Sequence, residues 1–354
     1  MTQTLRVAID VRVLTVQQEI AGVGQYIDQL LKAADESASV PVQLVPLSFR
    51  AHRAGVVQVA QMGRLPWQSF ALPWHLRGAG YSLFHGPAFS VPPFTRIPTI
   101  ATIHDLAFIR YPETVNADTR QYLRRVVPQA LHRAARIIVP SSEVRDDLMT
   151  YFPNTNESHI RVVPLGADRL RAANSQSHIE MDHPYLLHVG TVEPRKNLHF
   201  LLRAFEMLIT RYEVPHHLVL LGGVGWKNQQ FYDILNTMPQ AARVHVMGYV
   251  DDGTMAAYYR NAALYVMPSL YEGFGLGALE AAWFGVPVLA SPTGGIRDLR
   301  ADPAVRCVAP NDPNEWADNM HSLLTQPLSP QSQVRTWQQV WLDHVALYRE
   351  VVRP

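Results

Sequence analysis

Short apolar runs alternate along this chain with longer segments whose apolar residues recur every three or four positions. The first run, LRVAID (Leu5–Asp10), leads into a loop ending in Gly22-Val23-Gly24; Val23, Tyr26, Ile27, Leu30, Leu31 and Ala34 then mark one stripe of a helix. Runs at 42–47, 83–85, 99–103, 137–139 and 160–163 predict further strands, 118–135 predicts a helix, and Ser141-Ser142 is a candidate cap for another. Residues 171–183 are polar and lack an apolar period, which predicts a linker. The alternation then restarts. Runs at 184–190, 217–223, 243–248, 263–267 and 286–290 predict buried strands, and Leu198, Leu201, Leu202, Phe205, Leu208 and Ile209 mark a strong helix. Residues 331–352 predict a closing helix. The expected class is α/β: two Rossmann-like, doubly wound domains, 1–170 and 184–330, each binding at the carboxyl ends of its strands. They are expected to face each other across a cleft, with 331–354 crossing back to the first.

Composition narrows the function classes. With 354 residues, 47% apolar and 17% charged, the chain is too apolar for disorder and long enough for two cores. Cys307 is the one cysteine, which excludes an internal disulfide framework and a cysteine-cluster zinc site and fits a reducing compartment. No signal-peptide pattern and no run of 18 apolar residues is present, so the expected location is cytoplasmic. The net charge of +1 hides an uneven layout, because no acidic residue lies between Glu36 and Asp105. That interval holds Arg50, Arg53, Arg64, Arg77 and Arg96, interleaved with Phe49, Trp67, Phe70, Trp74 and Phe94. It is either an ordinary apolar region or a surface for an anionic membrane. In the second case Arg50, Arg53, Arg64 and Arg77 meet lipid phosphates while Trp67, Phe70 and Trp74 enter the interface, at the inner face of the membrane. Nucleic acid is not an expected partner: Lys32, Lys196 and Lys227 are the only lysines, and no binding motif accompanies the arginines.

Four segments carry candidate chemistry. GTVEPRKNL (190–198) delivers Arg195 and Lys196 to a helix N-terminus, where free N–H groups and the helix dipole already favour a diphosphate; Gly190 is expected to permit a tight turn. SLYEGFGLGALEAAWFGVPVLAS (269–291) places Glu272 in a loop and Glu280 in the following helix, among Gly273, Gly275 and Gly277, as acceptors for vicinal hydroxyls. Gly22-Val23-Gly24 is a glycine turn, but Ile27 stands where a dinucleotide fingerprint needs its third glycine. His104-Asp105 ends a strand as a candidate acid–base or hydroxyl-orienting pair. No D-x-D triplet, H-x-x-x-H or P-loop is present, so no metal is expected, and a leaving diphosphate would rely on Arg195, Lys196 and helix dipoles.

Taken with GVGQY, TIHDLAFIRYPE (102–113), RAARIIVPSSEVRDDL (133–148), VVPLGAD (162–168), GYVDD (248–252) and the tail TWQQVWLDHVALYREV, these segments resemble glycosyltransferase family 4, retaining enzymes of the GT-B fold. The resemblance implies that Arg195 and Lys196 grip the donor diphosphate, that Glu272 meets hydroxyls of the transferred sugar, and that Glu280 meets the ribose. It implies backbone contacts from Phe274 and Gly275, closure over the phosphates at Gly22 and Gly24, and His104 near the sugar 6-hydroxyl. Gly190, Leu276 and the Gly248-Tyr249-Val250 turn join the donor-binding set. Two departures stand out: Gly277 replaces a common proline, and Ile296-Arg297-Asp298 replaces a proline–glutamate turn. The implied activity is metal-independent, front-face hexosyl transfer from a nucleotide-diphosphate sugar to a glycan or lipid-linked acceptor, without a resident cofactor. Similarity to mannosyl-type members puts GDP-mannose first and UDP-sugars second. The alternatives are a sugar-nucleotide epimerase of the same fold and an inactive sugar-nucleotide binder.

Overall fold

The computed structural model describes residues 4–16, 22–37, 39–50, 55–173, 179, 181–328 and 334–353. They form two units, Met1–Gly166 with Thr336–Pro354, and Ala167–Arg335. The first is built on seven strands: β1 Leu5–Asp10, β2 Val42–Ser48, β3 Val57–Gln58, β4 Leu83–Gly86, β5 Thr99–Thr102, β6 Arg136–Val139 and β7 Ile160–Val162. Their order is β3-β2-β1-β4-β5-β6-β7, parallel throughout. The second has β8 Tyr185–Val189, β9 His217–Leu221, β10 Val244–Gly248, β11 Leu264–Met267, β12 Val288–Ala290 and β13 Val305–Cys307, ordered β10-β9-β8-β11-β12-β13 and again parallel. Helices cover both faces of such sheets, which is why the central strands read as unbroken apolar runs. The helix Leu198–Tyr212 buries Leu201, Leu202, Phe205 and Leu208 in one core with Trp316 of the helix Pro313–Thr325.

The structure departs from the sequence expectation in three elements and at the edges of the second unit, which runs from Ala167 to Arg335. β3 and β13 hold two and three residues, too few for any period to register. A helical stretch from Arg64 to Gly78 also escapes it, because a five-residue π turn, Trp67–Ala71, breaks the 3.6-residue spacing. Within that turn Trp67 is fully buried, donates its indole N–H to the Val59 carbonyl and lies under the Arg12 guanidinium at 4.4 Å, so it does not enter a membrane interface. Phe70 and Trp74 remain outside, 74% and 76% exposed. Arg53 and the Arg64 side chain lie outside the described residues. Residues 167–173 belong to the second unit: Asp168–Leu170 forms a 3-10 turn whose Arg169 binds Glu280 and Asp252.

The closing helix, Trp337–Val352, starts on a capping box between Thr336 and Gln339 and packs on the helix Val23–Asp35. A buried chain of hydrogen bonds joins it to the sheet. The Nδ1 of His344 lies 2.7 Å from the Val340 carbonyl and must carry the proton, so its Nε2 accepts from the Tyr26 hydroxyl at 2.7 Å. Tyr26 then accepts from Thr102 (3.1 Å), Thr102 from His85 Nε2 (2.8 Å), and His85 Nδ1 from the Tyr348 hydroxyl (2.8 Å). Every link has one permitted direction, and the ring nitrogens that accept must be unprotonated.

Burial pushes His85 well below 6.5, and burial also lowers His104. The unfolded chain therefore binds protons that the folded chain refuses, so this stability is complete above 6.5 and declines as pH falls below it. The slope is at most about 1.4 kcal/mol per pH unit for each histidine. Thermal unfolding followed from about pH 8 to pH 5 checks this. An unchanged Tm over that span would show that the network accepts a proton. Tyr348→Phe removes the donor to His85 and should cost about 1–3 kcal/mol in denaturant unfolding.

Candidate functional site

In the second sheet the strand order reverses between β8 and β11, so the loops after these strands flank the crevice where doubly wound sheets bind ligands. After β8 the chain turns through Pro194–Lys196, and Asn197, at φ 56°, opens the helix Leu198–Tyr212. After β11 it runs to Gly275, which opens the helix Leu276–Trp283 at φ 97°. The loops are stitched together by the Leu270 N–H donating to the Arg195 carbonyl (2.9 Å) and Asn197 Nδ2 donating to the Pro268 carbonyl (3.2 Å).

That stitching brings Arg195, Lys196 and Glu272 together. Arg195 Nη1 donates to Glu272 Oε2 at 2.9 Å and to the Tyr271 carbonyl at 2.8 Å, while its Nη2 donates to Glu193 Oε1 at 2.6 Å. Lys196 Nζ donates to Glu272 Oε1 at 2.7 Å. Burial alone would raise the Glu272 carboxyl, but Lys196 and Arg195 outweigh it and hold the group well below the usual carboxylate range. Two cations thus face two carboxylates, Glu193 and Glu272, which makes a charge-balanced site with strong donors for an incoming anion.

Two glycines here are constrained by space. Gly190 lies in a bend after β8 without a positive φ, and a Cβ there would lie 3.2 Å from His188 Nε2 and 3.3 Å from Lys196 Cε, closer than usual by a few tenths of an ångström. At Gly277 the Tyr265 hydroxyl occupies the side-chain position, 2.3 Å from an ideal Cβ. That hydroxyl donates to the Val189 carbonyl at 3.3 Å. Phe274 is buried beside Gly275, and Leu276 begins the helix.

Glu280 lies deeper in the same helix, with Oε1 accepting from Arg169 Nε (2.8 Å) and Oε2 from the Tyr259 hydroxyl (3.0 Å). Arg169 and Tyr259 escaped the sequence reading, which has no signal for partners so far apart in the chain. Gly248, at φ 72°, accepts from the Gly222 N–H at 2.8 Å, and Tyr249 beside Val250 is exposed. Val224 and Trp226, also exposed, follow β9. The glycines at 222, 223 and 225 after an apolar run are the signal that would have pointed to this loop.

Gly22, Gly24 and His104 belong to the first unit. Gly22, at φ 52°, opens the helix Val23–Asp35, and Gly24 is buried in its first turn. His104 and Asp105 do not bond each other: His104 Nε2 donates to the Pro87 carbonyl (2.7 Å), and Asp105 caps the Ala107 N–H (3.0 Å). The imidazole is fixed edge-on between Tyr26 and Phe89, whose ring centroids lie 4.9 and 5.4 Å away. Among the described residues no three His, Cys, Asp or Glu side chains are grouped to hold a metal ion.

Two family models match the chain, Glycosyltransferase Family 4 over residues 20–171 and Glycosyl transferases group 1 over 183–326. The O-antigen chain mannosyltransferase B of Escherichia coli is 29% identical over 248 residues, covering 68% of this chain and 64% of its own length. Among solved structures, sucrose-phosphate synthase from Thermosynechococcus elongatus superposes with a TM-score of 0.77 at 20% identity, covering 98% of this chain and 99% of that one. Anabaena Alr3699/HepE in complex with UDP and glucose gives 0.76 at 17% identity, with the same coverage. Both likenesses concern the fold.

The Gly277 contact yields a test that needs no substrate. Gly277→Ala forces a methyl group against the Tyr265 hydroxyl and should destabilise by about 1–3 kcal/mol. Tyr265→Phe removes the obstructing oxygen and should recover most of that loss in the double variant. Additive losses in denaturant unfolding would place the strain elsewhere.

Proposed function

Because the chain belongs to the group 1 and family 4 glycosyltransferases, we propose that it transfers a hexose from a nucleotide-diphosphate sugar to a hydroxyl of a glycan or lipid-linked acceptor, with retention and without a metal. The observation that carries this reading is the convergence of Arg195 and Lys196 on the buried Glu272 at the switch point of the second sheet. In the proposed step the acceptor oxygen bonds to the anomeric carbon on the face the diphosphate leaves. The old C–O electron pair passes to the departing phosphate oxygen, which takes the acceptor proton. Arg195 and Lys196 stabilise the growing negative charge, and Glu272, fully ionised, accepts from sugar hydroxyls. Glu280, oriented by Arg169 and Tyr259, keeps lone pairs for ribose hydroxyls. His104 Nε2 is spent on Pro87, which leaves Nδ1 to accept from a hydroxyl. The similarity to a mannosyltransferase favours GDP-mannose, with UDP-sugars second.

A lipid-linked acceptor is favoured by one surface of the first unit. Phe70, Trp74, Leu65 and Phe94 are exposed, and Arg77, Arg96, Arg124, Arg125 and Arg133 are exposed with them. Gln68 joins these segments by donating to the Val91 carbonyl (3.1 Å) and accepting from the Tyr122 hydroxyl (3.3 Å), and Arg133 lies over the Phe94 ring. Exposed aromatic side chains and exposed arginines on linked segments, with no acid from 37 to 104, match an anionic bilayer at about 1 kcal/mol per basic residue. Of the four arginines expected at lipid phosphates, Arg50 and Arg77 are exposed, and Arg53 and the Arg64 side chain lie outside the described residues.

Lys196→Ala and Arg195→Ala should lower kcat more than they raise KM for the donor, each by roughly 2–4 kcal/mol of transition-state stabilisation. Activity should survive EDTA. Unchanged kcat in both variants, or full loss on chelation restored by Mg²⁺, would remove the proposed mechanism. In vesicle sedimentation, binding should require anionic lipid and weaken with salt, and it should fall in a Phe70→Ser, Trp74→Ser double variant. Equal binding to neutral vesicles, or none to either, would favour a soluble acceptor.

A further inference from the structure

His188 sits on β8, two residues before Gly190, and is fully buried. Its Nδ1 lies 2.9 Å from the Val266 carbonyl, which can only accept, so Nδ1 carries the hydrogen and Nε2 of the neutral ring is a lone pair. Burial lowers the pKa to about 4, so this tautomer is the one present at neutral pH. The ring is stacked on Tyr265 at a centroid distance of 6.2 Å and an interplanar angle of 21°, which holds its orientation. Nε2 itself has no hydrogen-bond partner. A buried acceptor left in that condition carries a desolvation penalty that nothing offsets, and the fold keeps it.

The position of Nε2 says what it is for. It borders the volume left free by Gly190, and Lys196 Cε borders the same volume. A phosphate oxygen placed there would set lone pair against lone pair, so the group that fills it must carry N–H or O–H. The Lys196 ammonium hangs one bond beyond Cε, and only one of its three N–H donors is engaged by Glu272.

We infer that His188 is a positioning residue for Lys196, its Nε2 accepting from the Lys196 ammonium once a donor diphosphate draws that ammonium away from Glu272. The inference rests on the nucleotide-sugar reading, which supplies the diphosphate. A lysine ammonium is a point charge on a flexible four-carbon stem. With Nε2 taking one N–H and Glu272 no longer setting the direction, the remaining donors are aimed at the phosphate oxygens.

His188→Phe removes the Nε2 acceptor together with the Nδ1 donor to Val266 and keeps a flat ring; relief of the buried lone pair offsets the lost hydrogen bond, so the variant should remain folded, with an unfolding midpoint close to that of the wild type. It should nevertheless lose about tenfold in kcat and bind UDP or GDP more weakly in calorimetry. His188→Gln, which retains an acceptor, should recover part of both. Adding Lys196→Ala to His188→Phe should cost no more than Lys196→Ala alone, because the two residues act as one. Multiplying losses, or unchanged kcat and nucleotide affinity in a folded His188→Phe, would overturn the inference while leaving the donor reading intact. Failure of the donor reading looks different: wild-type protein would then bind neither nucleotide, and the role of His188 would fall with it.

Discussion

A carboxylate removed from water keeps its charge only where cations accompany it, and much of the second unit is arranged around meeting that condition for Glu272. Desolvation costs several kcal/mol per buried ion, so Arg195 and Lys196 have to lie within hydrogen-bond reach of it. They come from a loop 76 residues earlier in the chain. The parallel order that sets β8 beside β11 brings the two loops together, and Asn197 holds the second of them through Pro268. Glu193 completes the balance by taking the other side of Arg195. On the proposed reading, the carboxylates hold the guanidinium and ammonium close to the place a diphosphate will occupy, so that the donors are already assembled when the anion arrives.

The legible parts of this protein were those written in local order. Parallel strands buried on both faces give apolar runs, and the helices between them give stripes, so both sheets and the two loops at the second switch point could be read from residue spacing. Long-range partnerships could not. Nothing near Glu280 announces Arg169, and nothing near Gly277 announces the Tyr265 hydroxyl that fills its side-chain space. Trp67 misled because an aromatic residue between arginines reads the same whether it faces lipid or, as here, lies under Arg12 within a π turn. The roles of the site residues came from the family resemblance; spacing alone gave a basic turn at a helix N-terminus and two carboxylates among glycines.

The first unit meets a different constraint. Its core is crossed by a file of polar groups that starts with Tyr348 as donor and passes through His85, Thr102, Tyr26 and His344, each of these four giving one hydrogen and taking one. Such a file is satisfied only when complete, because a missing member strands a buried donor or acceptor next to it. It also sets a particular partner for the helix Trp337–Val352, since a merely apolar helix would leave His85 and Tyr26 unanswered.

That helix is separated from the rest of its unit by the whole of the second unit, Ala167–Arg335. On the ribosome, where domains fold as they emerge, the earlier part of the chain is finished long before the piece that completes it. The first unit therefore cannot complete its buried polar file until the whole second unit has been synthesised, although most of its own sequence comes first.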